Sequence, residues 1–125
     1  MDRIRVLLVD DEVDFSRVLA RRLGRRGLNV ITASGADEAV LALKEHPVDV
    51  VLLDIKMPGR DGVQLLGEIK RQYPGIAVVM LTAHAESDLI ISCMAMGACD
   101  YLLKPTDADE IVLKLKDAAL GCNNQ

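Results

Sequence analysis

Four short apolar stretches of this chain run straight into residues that can do polar chemistry. Val6-Leu7-Leu8-Val9 leads into Asp10-Asp11-Glu12, the stretch ending at Leu53 into Asp54, that ending at Leu81 into Thr82, and that ending at Leu103 into Lys104-Pro105. Carboxylates gathered within a few ångströms of one another cannot all stay ionised without a counter-charge. A hard divalent cation with oxygen ligands meets that need, a partly hydrated Mg²⁺ above all, with Mn²⁺ as the alternative. A lysine and a threonine hydroxyl on the same edge suit an anion that shares the cation's charge, and phosphate is the natural one. One carboxylate could then be the nucleophile and carry the group as an aspartyl-phosphate. The cation and the lysine would stabilise the charge on the transferring oxygens.

That chemistry needs elements that bring the four ends together. Residues 6–9 are dense in branched side chains, as a strand buried on both faces should be. Over 14–26 the residues Phe15, Val18, Leu19 and Leu23 recur at helical spacing, and Gly27 stops the helix. A second strand over 29–33 precedes a helix capped by Ser34, with Asp37 at the capping-box position, and Pro47 ends it. Residues 48–53 form a third strand closed by Asp54. Past the turn-rich Met57-Pro58-Gly59-Arg60, Asp61 opens a helix through about Tyr73. A strand over 76–81, a loop, a helix through Met96, a strand over 100–103 and a last helix capped by Thr106 complete the chain. Strands alternating with helices imply a parallel sheet covered on both faces by right-handed crossovers. Ligands of such sheets bind at the carboxyl ends of the strands, where the four chemical ends lie.

Composition bounds the rest. A chain of 125 residues suits one domain, and 50% hydrophobic with 27% charged residues is a globular composition. A net charge of −4 argues against a nucleic-acid or anionic-membrane binder held by bulk charge. With no Trp, one Phe and two Tyr there is no base-stacking platform. Cys93, Cys99 and Cys122 make an odd count without CxxC spacing and read as reduced thiols of a cytosolic protein. The longest apolar run, 76–81, is too short to span a bilayer, and the first residues carry no signal-peptide pattern. The expectation is a soluble cytoplasmic domain with no direct nucleic-acid or membrane contact.

The chain resembles the receiver domains of two-component response regulators. The matching positions are Val9-Asp10-Asp11-Glu12, then Leu52-Leu53-Asp54-Ile55-Lys56-Met57-Pro58-Gly59-Arg60-Asp61-Gly62, then Thr82-Ala83, then Gly97-Ala98-Cys99-Asp100-Tyr101-Leu102-Leu103-Lys104-Pro105. The resemblance runs from Ile4 to about Leu120. It implies an α/β flavodoxin-like (βα)5 fold, a five-stranded parallel sheet of order 2-1-3-4-5 with helices on both faces. Residues 1–121 would be the receiver domain and 122–125 a tail or the start of a linker.

The resemblance also implies roles. Asp54 would accept a phosphoryl group from a histidine kinase or phosphotransfer protein. Asp10, Asp11, Asp54 and the backbone carbonyl of Lys56 would hold Mg²⁺. Lys104 would pair with the bound phosphate, the Thr82 hydroxyl would swing toward it, and Tyr101 would be the switch that turns inward. The Lys104-Pro105 peptide is expected to be cis, a minority state for X-Pro bonds. Lys56 and His84 would flank the acceptor and tune the loss of phosphate to water. The readout surface would be the last two helices and the strand between them. It would control an output partner or effector domain, with a homodimer on phosphorylation as a further option. Such a domain is not an enzyme; it assists only its own phosphorylation and dephosphorylation.

Plainer readings stand beside these. An isolated Asp-Asp pair can cap a helix and complement its dipole, and Asp54 alone could cap a loop. Tyr101 could simply pack. Arg21, Arg22, Arg25 and Arg26 read as a solvated helix face or a kinase dock. Leu89-Ile90-Ile91-Ser92-Cys93-Met94-Ala95-Met96 is more apolar than one buried stripe requires. If Ile90, Cys93 and Met94 face the core, Ile91 and Met96 must face outward, as a partner surface or as scattered surface hydrophobes. A flavodoxin would need a phosphate-cradling loop where the acids stand. An aspartate-nucleophile phosphatase would need a second Asp at the position of Lys56. The remaining rival is a receiver-like interaction module that acts without phosphorylation.

Overall fold

The computed structural model describes residues 3–55, 62–83 and 87–121. Ten elements alternate in the order β1 (Arg5–Val9), α1 (Val13–Arg25), β2 (Asn29–Ala33), α2 (Ala36–Glu45), β3 (Val50–Asp54), α3 (Gly62–Gln72), β4 (Ala77–Thr82), α4 (Ser87–Ala95), β5 (Asp100–Leu103) and α5 (Ala108–Gly121). The strands form one parallel sheet of order β2-β1-β3-β4-β5, the expected arrangement. Chain order reverses beside β1, so the carboxyl ends of β1 and β3 flank the switch point.

The period-2 alternation of a strand divides the core into two layers. Leu7, Val9, Val51, Leu53, Val78 and Met80 pack with Ala39, Leu43, Leu65, Leu66, Ile69 and Cys93 of α2, α3 and α4. Val6, Leu8, Val50, Leu52, Val79, Leu81 and Leu102 pack with Leu19, Leu23, Ile111, Leu115 and Ala118 of α1 and α5. β1, β3 and β4 are therefore buried on both faces, which is why they read as unbroken apolar runs. Each fully buried Leu or Val contributes roughly 1.5–3 kcal/mol by leaving water.

The helix ends depart from expectation in detail. Gly27 and Gly97 take φ of +92° and +112°, and close α1 and α4 as αL caps. Ser34 does not cap α2; Gly35 holds that position without a side-chain bond, and the Ser34 amide and hydroxyl donate to Glu38 at 3.2 and 2.6 Å. At α5 the cap is Asp107, whose Oδ1 accepts the Glu110 amide at 2.8 Å, while the Thr106 hydroxyl donates to the Glu110 carboxylate. In each case neighbouring residues were all competent caps, and the crossover path chose among them. Asp61, expected to open α3, lies outside the described residues.

The α4 surface splits as its composition requires, with Cys93 buried and Ile91 and Met96 exposed. Met94, expected inside, is exposed too, because a nine-residue helix presents only one narrow stripe to the sheet. Cys93 is buried, and Cys99 is disulfide-bonded, against the expectation of three reduced thiols. Cysteine count and spacing carry no information on which distant segments the fold brings together. Among the described residues no helix is long and apolar enough to cross a membrane.

Candidate functional site

The sheet's register decides which strand-end residues meet. Asp10, Asp54 and Lys104 follow Leu8, Leu52 and Leu102 at a spacing of two, so they continue the face that packs on α1 and α5. Thr82 follows Met80 instead and continues the opposite face. Asp10 is held at the end of β1 by its amide, which donates to the Ala33 carbonyl at 3.0 Å. Its Oδ1 accepts the Glu12 amide at 2.9 Å, which turns the chain into α1. Lys104 is held likewise, its amide donating to the Thr82 carbonyl at 2.8 Å, ahead of a cis Lys104–Pro105 peptide.

From these anchors the side chains converge. Lys104 Nζ lies 2.9 Å from Asp10 Oδ2, 3.2 Å from Glu12 Oε1 and 3.8 Å from Asp54 Oδ2. Asp10 is fully buried and Asp54 and Thr82 nearly so. Burial by itself would lower the Lys104 pKa. The hydrogen bond to Asp10 and its charge, the charge of Asp54 and the hydrogen bond to Glu12 outweigh it and hold the ammonium above its ordinary value. Nζ also stands over the Phe15 ring, 4.5 Å from its centroid. Two acids at 0–5% exposure gathered about one lysine concentrate negative charge there, and that is the electrostatic demand a divalent cation satisfies.

Ligand atoms of Asp10, Glu12 and Asp54 lie within 4.8 Å of one another, a hard-oxygen set that fits Mg²⁺. Asp11, expected among the ligands, is not in this group, and Glu12 takes a place that the sequence pattern did not assign to it. Lys56 and His84 lie outside the described residues. Tyr101 is half-exposed on β5. It pairs in register with Met80 while Thr82 pairs with Leu103, which puts Tyr101 and Thr82 on the same face of the sheet. Two contributors had no mark of their own in the sequence. Glu12 was visible only as the third acid of its triplet, and Phe15 only as one of four apolar residues at helical spacing. A cavity of about 640 Å³ lined by Arg3, Arg5, Asn29 and Asp49 lies at the opposite end of the sheet.

A doubly wound sheet whose carboxyl edge carries two buried aspartates clamped by a strand-end lysine defines a receiver-type signalling module. The response regulator receiver domain model matches residues 6–116, and the chain belongs to that family. It is 42% identical over 118 residues to the DNA-binding transcriptional regulator NtrC of Salmonella typhimurium, covering 94% of this chain and 25% of that protein. The chain thus spans about a quarter of the length of the curated relatives it matches. The receiver domain of NtrX from Brucella abortus superposes with a TM-score of 0.87 at 37% identity, covering 93% of this chain and 98% of that one. A chain of the CheX-CheY-BeF3-Mg²⁺ complex from Borrelia burgdorferi superposes with a TM-score of 0.85 at 32% identity, covering 91% and 87%.

Proposed function

We propose that this domain is a phosphoacceptor of a two-component system, with Asp54 as the residue modified. The observation that carries the reading is the convergence on Lys104 Nζ of Asp10 at 2.9 Å and Asp54 at 3.8 Å, residues from three different strand ends. A carboxylate oxygen of Asp54 attacks the phosphorus of a phosphohistidine on a histidine kinase or phosphotransfer protein. The P–N bond breaks, the imidazole leaves and is reprotonated from solvent, and an acyl phosphate remains on Asp54. Water reverses the charge by attacking phosphorus, releasing inorganic phosphate and the free carboxylate.

Mg²⁺ would be held by Asp10, Asp11, Asp54 and the Lys56 carbonyl, and when bound it supplies charge neutralisation for the phosphoryl oxygens. Mn²⁺ offers the same ligand preference. The similar Borrelia complex contains BeF3 and Mg²⁺, which supports the same chemistry here. Lys104, already charged and 3.8 Å from Asp54, pairs with the incoming oxygens. The Thr82 hydroxyl takes another, and Tyr101, on the same face of the sheet, follows it inward. Lys56 and His84 tune hydrolysis of the acyl phosphate. The new charge biases the surface of α4, β5 and α5, where Ile91, Met96, Tyr101 and Leu103 are exposed, toward an output partner, an effector domain or a second copy.

On this reading residues 1–121 are the receiver and 122–125 a tail or linker start, and the domain acts on no substrate but itself. Its compartment is the cytoplasm, where the Cys99 disulfide is expected to be reduced. Incubation with acetyl phosphate and Mg²⁺ tests it by intact mass. One phosphoryl group, acid-stable and base-labile, should appear on the protein and be absent from Asp54→Asn. No adduct under any divalent cation would leave the interaction module that needs no phosphorylation.

A further inference from the structure

Phe15 has no role in the reaction as assigned, yet it touches the group on which that reaction turns. It lies in the first turn of α1, half-buried against the same core layer as Leu8, Leu52 and Leu102, the residues that precede Asp10, Asp54 and Lys104 by two. Its ring centroid is 4.5 Å from Lys104 Nζ. The carboxylates of Asp10 and Glu12 draw the ammonium toward β1, and Asp54 stands farther off at 3.8 Å. A ring face attracts the cation without offering a lone pair that a phosphoryl oxygen would have to displace, and it keeps water from that side.

We propose that Phe15 is a positioning residue for the phosphoryl-transfer site, its ring fixing where the Lys104 ammonium stands relative to Asp54. The inference rests on the phosphoacceptor reading and adds to it a residue outside the acidic motif. Leucine at this position would keep apolar volume but lose the ring, letting water solvate the ammonium and the acids of β1 draw it away from Asp54. A desolvated cation–π contact is strong enough that Phe15→Leu should slow phosphorylation by acetyl phosphate about three- to tenfold.

The test is a rate comparison at saturating Mg²⁺ for wild type, Phe15→Leu, Phe15→Tyr and each combined with Lys104→Met. The expected result is a slower Phe15→Leu, a Phe15→Tyr restored to near the wild-type rate, and no added effect of Phe15→Leu once Lys104 is gone. Equal slowing by Phe15→Leu with Lys104 present and with Lys104 replaced would mean core packing alone and overturn the proposal, as would an unslowed Phe15→Leu. Should Phe15→Leu not fold, Phe15→Met removes the ring in the same way. A wild type that takes up no phosphoryl group fails the acceptor reading itself. In that event the upfield ring-current shift of the Lys104 ε-protons, present in wild type and lost in Phe15→Leu, still reports on the contact separately.

Discussion

Lys104 Nζ bonds Asp10 Oδ2 at 2.9 Å and so spends its strongest contact on a neighbour of the acceptor, standing 3.8 Å from Asp54 itself. The lysine is held in charge and in place before any phosphate arrives. Its pKa is raised, so the stability it contributes is fully present below its ordinary value of 10.5 and is lost only as pH rises through the folded value. Across the neutral range the ammonium is constant.

The same geometry sets Asp54 and Asp10 about one ammonium, where the two carboxylates repel each other. Asp54→Asn removes that repulsion and is expected to raise the melting temperature of the metal-free protein. It should also abolish the further rise that Mg²⁺ gives wild type. Differential scanning calorimetry with EDTA and with Mg²⁺ checks both; a lower melting point in EDTA would contradict the charge argument.

Asp11 and Glu12 can be told apart. The proposed Mg²⁺ set contains Asp11, whereas the carboxylate grouped with Asp10 and Asp54 is that of Glu12, bound to Lys104 at 3.2 Å. Asp11→Asn should weaken Mg²⁺ binding by roughly 10-fold or more, as loss of a charged oxygen ligand does. Glu12→Gln should change it much less while freeing Lys104 for phosphate. Isothermal titration calorimetry of the two variants decides the matter, and the reverse order of effects would move the metal site onto Glu12.

Gly62 lies against the backbone at the end of β3. A Cβ there would come 2.6 Å from the Asp54 carbonyl oxygen and from the Ile55 Cα, both backbone atoms that have no rotamer to yield. The Gly62 amide also donates to the Ile55 carbonyl at 3.0 Å, tying α3 to the end of β3. Gly62→Ala is expected to cost about 2 kcal/mol or more in urea unfolding and to slow phosphorylation by shifting Asp54.

At the far end of the sheet, Arg5 clasps Asp49 through its Nε and Nη2 at 3.0 and 2.9 Å, and its amide adds a third bond. The Arg5 side chain lowers the Asp49 pKa below 3.8 against the opposing effect of burial. A lowered carboxylate stabilises above its unfolded value and loses that contribution as pH falls through the folded one. Asp49→Asn should therefore be less stable than wild type at pH 7, with the gap closing below about pH 4. Urea midpoints across that range would show it; a gap independent of pH would mean that the charge is irrelevant.

Much of this was readable from local pattern. Strands buried on both faces write themselves as apolar runs, so the residues after Val9, Leu53, Leu81 and Leu103 could be assigned to one edge without coordinates. Helix caps were harder. Ser34 and Thr106 sit beside other competent cap positions, Gly35 and Asp107, and differences of a few tenths of a kcal/mol in such choices are settled by the path of the crossover.

The amino-acid order by itself determined the alternation of strands and helices, hence the parallel sheet and the edge where acids, threonine and lysine collect, because burial on both faces leaves a periodic trace. Only the tertiary structure decided which side chains touch. Register parity set Asp10, Asp54 and Lys104 on one face and Thr82 with Tyr101 on the other. The docking of α1 against that first face brought the Phe15 ring and the Glu12 carboxylate to the lysine. Those contacts join residues far apart in the chain, and no local periodicity records them.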